Sequence, residues 1–222
     1  MKNCVVNARL VGVFLLWVVC GLGTSALAQD SKISSEEFDR VRSTYKDFLA
    51  KEPYRIRFTH ETFPYDDAKE PETTSVWMTE FVQPDREHNY YGVNSSEPSR
   101  KYERIVIGTR IFTNRDGKWK ELERSGGGFG LSSGPSSIEY FIRGSEMIGK
   151  LKTTIYEVVT GSKFARGAGP WQTSFHRQKY WISKDGRIRK SVGEGDALIT
   201  KRNRTTEVYE YDPTIKIEAP IK

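Results

Sequence analysis

The sequence predicts an α+β fold in which one N-terminal helix precedes a long antiparallel β-sheet. Two patterns lead there. A single stretch near residue 40 carries apolar residues at helical spacing, whereas most of the chain beyond residue 53 alternates apolar and polar side chains with period two. No alternation of strand and helix segments of the kind that builds parallel sheets interrupts that series.

The helix is marked by Phe38, Val41, Tyr45, Phe48 and Leu49, which form one narrow stripe. Ser34-x-x-Glu37 has the form of a capping box, and Pro53 sets the latest point at which the helix can end. A narrow stripe suits a helix lying across a sheet. The first strand is equally plain, since Tyr54, Ile56 and Phe58 alternate with Arg55, Arg57 and Thr59. Segments 74–82, 87–93, 101–113, 118–123, 152–160, 172–183, 187–192 and 197–211 are rich in β-branched and aromatic residues, between clusters of Pro, Gly, Asn and Asp. Arg115-Asp116-Gly117 and Lys184-Asp185-Gly186 read as three-residue hairpin loops with glycine in the left-handed position. The second hairpin places Arg189 opposite Trp181 as a cross-strand cation–π pair. Between 125 and 134 a glycine-rich run reads as a loop, and Ile138, Phe141, Ile142 and Ile148 then suggest a short helix or two.

Residues 1–28 read as a cleaved signal peptide. Lys2 and Arg9 precede the apolar run Leu10–Leu22, and Ala26-Leu27-Ala28 supplies a small-x-small site before Gln29. The run is shorter than the roughly 20 residues that a membrane-spanning helix needs. Val19 is not the small residue expected before a lipidated cysteine at Cys20. Both cysteines, Cys4 and Cys20, lie in this segment, so residues 29–222 form a cysteine-free chain of single-domain length held by core packing alone. The expected product is a periplasmic monomer.

Catalytic and metal-binding patterns are missing. His60, His88 and His176 are far apart and fit no metal-ligand spacing, and His60 continues the Tyr54/Ile56/Phe58 face. The glycine run is not followed by the Gly-Lys-Ser/Thr of a phosphate cradle, and no Gly-x-Ser-x-Gly elbow occurs. Asp66-Asp67 with Glu70 and Glu72 reads as a solvated acidic loop. Neither an enzyme nor a cofactor nor a metal is expected, and nucleic acid is not an expected partner. After loss of Lys2 and Arg9 the charge is uneven, with 13 basic and 7 acidic residues from Gly161 to Lys222. Taking Gly193-Glu194-Gly195-Asp196 as a turn brings Arg187, Arg189 and Lys190 beside Lys201, Arg202 and Arg204. The resulting cluster, with Arg187, Arg189, Lys201 and Arg202 at its centre, is a candidate anion patch for a headgroup, the membrane surface or an acidic envelope protein.

Three segments carry a family resemblance. Gly149-Lys150-Leu151-Lys152-Thr153-Thr154-Ile155-Tyr156-Glu157 resembles the strand after the lid helices of LolA/LolB-like lipoprotein carriers and their LppX/LprG-type relatives. Trp181-Ile182-Ser183-Lys184-Asp185-Gly186-Arg187-Ile188 is similar to a hairpin of theirs, and Glu207–Pro220 to their closing strand. The resemblance implies a strongly curved antiparallel sheet, an incomplete β-barrel, with the N-terminal helix and short lid helices on its concave side. It also implies an apolar cavity for a lipid or for the acyl chains of a lipidated protein. Phe38, Val41, Tyr45, Tyr54, Ile56, Phe58, Phe141 and Ile142 are the candidate lining. Relatives that sense or scaffold leave a second expectation: a non-enzymatic adaptor that binds a protein or envelope component.

Overall fold

The computed structural model describes residues 30–64, 68–93, 102–122, 137–164, 172–197 and 201–221. After β1 (Ser31–Ile33), Ser34 caps α1 (Ser35–Leu49) by accepting the backbone N–H of Glu37 at 3.1 Å. A first meander follows, made of β2 (Tyr54–Pro64), β3 (Thr73–Val82), β4 (Arg86–Val93), β5 (Tyr102–Ile107), β6 (Arg110–Arg115) and β7 (Lys118–Leu122). A second comprises β8 (Ser137–Ile148), β9 (Leu151–Phe164), β10 (Gln172–Ser183), β11 (Ile188–Ala197) and β12 (Lys201–Tyr211).

Both meanders belong to one twelve-stranded sheet of order β1-β8-β9-β10-β11-β12-β2-β3-β4-β5-β6-β7. They meet where β12 pairs antiparallel with β2, from Lys201↔Pro64 to Tyr211↔Tyr54. The order ends at β1 and β7, which do not pair, so the sheet is open. The expected antiparallel sheet with one N-terminal helix is what forms, and a sheet this broad curls under its own twist.

The lid helices are a correction. Among the described residues α1 is the only helix, and Ile138, Phe141, Ile142 and Ile148 lie in β8. Their helix-like spacing arises because β8 carries apolar residues on both faces, Ile138 and Ile142 on one and Phe141 on the other; a bulge follows between Ile142 and Ser145, where Gly144 takes φ 97°. The glycine run at 125–134, the acidic pair Asp66-Asp67 and the signal-peptide segment lie outside the described residues. Three turn expectations also change. Asp116 and Gly117 both have positive φ and form a two-residue hairpin loop. Gly193–Asp196 continues β11 instead of turning. The Lys184–Gly186 loop is three residues as expected, but a register shift beyond Trp181 puts Lys190, not Arg189, on its ring, with Nζ 4.4 Å from the centroid.

Two cores hold the sheet, one on each face. On the helix face, Tyr45 packs with Ile182 and Ile188, supported by Val41, Leu49, Tyr156, Tyr180 and Tyr209. On the opposite face, Ile105 and Phe112 are covered by Ile215 and Ile217 of the C-terminal segment, whose path is fixed where Arg86 Nη1 donates to the Ile217 carbonyl at 2.7 Å. Beside this second core lies a polar one. Glu80 accepts from Arg55 and from the Tyr90 hydroxyl, and Glu103 from Asn114 and His88, so these buried carboxylates are partnered.

Candidate functional site

Cross-strand partners in an antiparallel sheet share a face, and here one line of partners crosses ten strands on the face that bears α1. It runs Ile142, Tyr156, Tyr180, Ser191, Glu207, Phe58, Trp77, Tyr91, Tyr102 and Arg115, from β8 to β6. Its two ends are treated differently. Tyr156 and Tyr180 lie under the helix, where Phe38 meets Tyr140 at 5.1 Å, Tyr180 at 5.8 Å and Tyr156 at 6.4 Å, and Tyr45 stacks on Tyr180 at 6.0 Å. A 15-residue helix is about 22 Å long, the width of about five strands even if it lay straight across them. Phe58, Trp77, Tyr91 and Tyr102 are therefore beyond its reach.

That open half is an aromatic strip. Phe58 and Trp77 stack at 4.9 Å with their planes 8° apart, and both are half-buried. Tyr91 and Tyr102 are exposed at 37% and 45%, and the Arg115 guanidinium stands 5.7 Å from the Tyr102 ring. Polar rows flank the strip on the same face. Thr79, Asn89 and Arg104 are on one side, with the Thr79 hydroxyl donating to Asn89 Oδ1 at 2.8 Å; Thr205, His60 and Ser75 are on the other. An exposed apolar patch with a polar rim is the usual form of a binding surface.

In the middle of the line, between the covered and the open aromatics, sits a polar trough of about 400 Å³. Gln178 and His176 wall it on β10, Asn203, Thr205 and Glu207 on β12, and Gly193 and Gly195 of β11 floor it. Glu207 Oε2 accepts from the hydroxyls of Ser191 and Tyr209, both at 2.6 Å. Burial and then the Glu207 charge push the Tyr209 hydroxyl far above its ordinary value.

The structure divides the residues proposed from sequence. Phe38, Val41 and Tyr45 line the inner stripe of α1, but they pack over β8–β11. Tyr54, Ile56 and Phe58 share the same sheet face without meeting that stripe; Tyr54 packs on Phe81 at 4.7 Å and Tyr211 at 6.1 Å, and Ile56 is joined to the helix core only through its partner Tyr209. Ile142 lies on the helix face opposite Tyr156, whereas Phe141 points to the other face, beneath Arg143 at 4.1 Å.

The basic residues do not gather. Lys190 pairs with Val208, so Arg187 and Arg189 lie roughly 20 Å along the sheet from Lys201 and Arg202, at about 3.4 Å per residue. Each has its own partner. Arg187 makes a bidentate pair with Glu52 at 2.6 and 3.0 Å, and it shares Asp185 with Arg189. Lys201 pairs with Glu72, and Arg202 covers the Phe63 ring at 4.5 Å. Partial burial acts to raise the Asp185 carboxyl, but hydrogen bonds from Ser183 and Arg187 and the Arg189 charge outweigh it and bring it down to about 2. Among the described residues no group of three or more His, Cys, Asp and Glu is placed to hold a metal ion, and no helix is long and apolar enough to cross a membrane.

Trp77, Tyr91, Tyr102 and Glu207 were not singled out by the sequence. The only signal for them was alternation within their own strands, which cannot show that the strands are neighbours.

No family's sequence profile matches the chain, and no curated protein sequence matches it. Its fold is similar to that of solved structures. Lipoprotein LppX of Mycobacterium tuberculosis aligns at 11% identity and TM-score 0.48, over 83% of this chain and 100% of that one. LprF of Mycobacterium bovis aligns at 12% identity and TM-score 0.49, over 86% and 100%. A LolA superfamily protein of Nitrosomonas europaea aligns at 10% identity and TM-score 0.34, over 78% and 90%. LppX and the LolA superfamily are among the groups that the three sequence segments resemble. At TM-scores below 0.5 the likeness is one of layout and assigns this chain no ligand.

Proposed function

We propose that the protein is a non-enzymatic, exported envelope protein that binds a lipid or the acyl chains of a lipoprotein along the open half of the aromatic line. One observation carries this reading. Phe58, Trp77, Tyr91 and Tyr102 stand in register on four adjacent strands, at least partly exposed, on the face that α1 covers elsewhere. Strands lie about 4.8 Å apart, so the rings form an apolar track about 14 Å long. Each methylene taken from water onto such a track contributes about 0.8 kcal/mol, while the flanking polar rows keep the surface soluble when it is empty.

A second reading has its own support. Phe38, Tyr45, Tyr140, Tyr156 and Tyr180 fill the space beneath α1 with rings, where a carrier would keep acyl room. On that reading the open strip takes the apolar side chains of an envelope protein, and the molecule is an adaptor or sensor. Native mass spectrometry of protein purified from its own envelope separates the two. A co-purifying lipid that is lost on Trp77→Ala supports the first reading; lipid-free wild-type protein overturns it and leaves the adaptor.

A further inference from the structure

The trough between the two halves has a chemistry of its own. Gln178 Nε2 donates to the Ser191 hydroxyl at 3.1 Å, which turns Oε1 over β11; a Cβ at Gly193 would stand 2.5 Å from that oxygen. A Cβ at Gly195 would stand 2.9 Å from His176 Nδ1, so side chains leaning in from β10 occupy the space above both floor glycines. At the far end, Asn203 Oδ1 is buried with no donor among the described residues. At the near end, the partners of Glu207 among the described residues are neutral hydroxyls, those of Ser191 and Tyr209. No described lysine or arginine forms an ion pair with it. Arg204, its neighbour along β12, is drawn to the opposite face by Glu61 at 2.7 Å, and Arg42 of α1 is taken by Asp39 at 2.8 Å.

The trough therefore presents oxygen acceptors, one of them a carboxylate, beside the His176 ring, and its lining contains no lysine or arginine. A phosphate or carboxylate would bring more acceptors and a like charge. Glu207 is half-buried and has no lysine or arginine partner among the described residues, and a hydrogen bond from a charged donor is about twice as strong as a neutral one. We propose that the trough binds the ammonium group of an amine-bearing ligand, with N–H donors to Glu207 and Gln178 Oε1. Because Glu207 is the register partner of Phe58, a carbon chain on that amine leads onto Phe58 and Trp77. The site goes beyond the lipid reading and does not depend on it, since a free amine and an amine-bearing lipid headgroup offer the same group.

The test titrates the isotope-labelled protein with hexylammonium, hexanol and hexanoate, following the amide resonances of Gly193 and Gly195. Hexylammonium should bind at least about tenfold more tightly than hexanol, a difference of about 1.4 kcal/mol, and hexanoate should leave both resonances in place. Glu207→Gln should weaken hexylammonium at least about tenfold without changing hexanol. Equal binding of the amine and the alcohol by the native protein overturns the proposal whether or not the variant folds, as does silence of both glycines at about 10 mM amine. Vesicles of phosphatidylethanolamine and phosphatidylglycerol distinguish the source. Capture by the former alone assigns a lipid headgroup, and amine binding without that preference assigns a free amine. A native protein that carries lipid yet ignores hexylammonium sinks this site and leaves the lipid reading standing.

Discussion

The covered and open halves of the aromatic line use the same kinds of side chain on the same face of the same sheet. Tyr156 and Tyr180 are closed in by Phe38 and Tyr45, whereas no described helix lies above Trp77, Tyr91 and Tyr102. What separates covered from uncovered aromatics is thus the length of α1. Rings under the helix stabilise the fold by burial, and rings beyond it leave apolar surface in water, where it can serve binding.

The largest expected effect lies in the covered half. Phe38 is 3% exposed among three tyrosine rings, so Phe38→Ala should cost about 3–5 kcal/mol in chemical denaturation. Trp77→Ala removes a half-buried ring stacked on Phe58 and should cost only about 1–2 kcal/mol. Its main effect should be loss of bound lipid. If the two variants unfold at the same denaturant concentration, the open half is core and the contrast disappears.

Smaller effects sharpen the comparison. Ser34→Ala removes the cap of α1 and should cost about 1 kcal/mol. Hydrogen exchange should then quicken over α1 while β3 and β4, joined to it where Gln83 donates to the Leu49 carbonyl, stay unchanged; equal quickening in both halves would contradict a helix that packs chiefly on one. Asp185 sets the smallest effect. Its carboxyl is held at about 2 against an ordinary 3.8, so its contribution is complete above about pH 4 and is lost as pH falls toward 2. It clasps Arg187, whose guanidinium stands 4.5 Å from Phe48 of α1. Asp185→Asn should flatten the acid limb of the stability curve between pH 4 and 2, and an unchanged limb would show that the clasp adds nothing.

The local half of this architecture was legible in the residues. Ser34 and Glu37 announced the helix start, and the alternation of Tyr54, Ile56 and Phe58 announced both a strand and its inward face. Two features of the strands hid the rest: apolar residues on both faces of β8 imitate helical spacing, and the register shift beyond Trp181 exchanges Arg189 for Lys190. The aromatic line was invisible for another reason. Glu207 meets Phe58 only because the last strand pairs with the first long one, a contact across 149 residues that no window of sequence contains. Glu207 within Thr206-Glu207-Val208 looks like any solvent-facing carboxylate until Ser191 and Tyr209 are placed against it.

The β12–β2 pairing also bears on how such a chain comes into being. A strand made early must wait, with its backbone donors and acceptors unmatched on one side, until nearly the whole chain has followed it. Pairing over so great a sequence separation is slow, because loop closure opposes it before any contact compensates. If the chain passes a membrane N-terminus first, its two meanders cannot be joined into one sheet until β12 has emerged. The last strand is then what ends the threadable state, and a chain stopped short of Tyr211 would expose the edge of β2 to its neighbours.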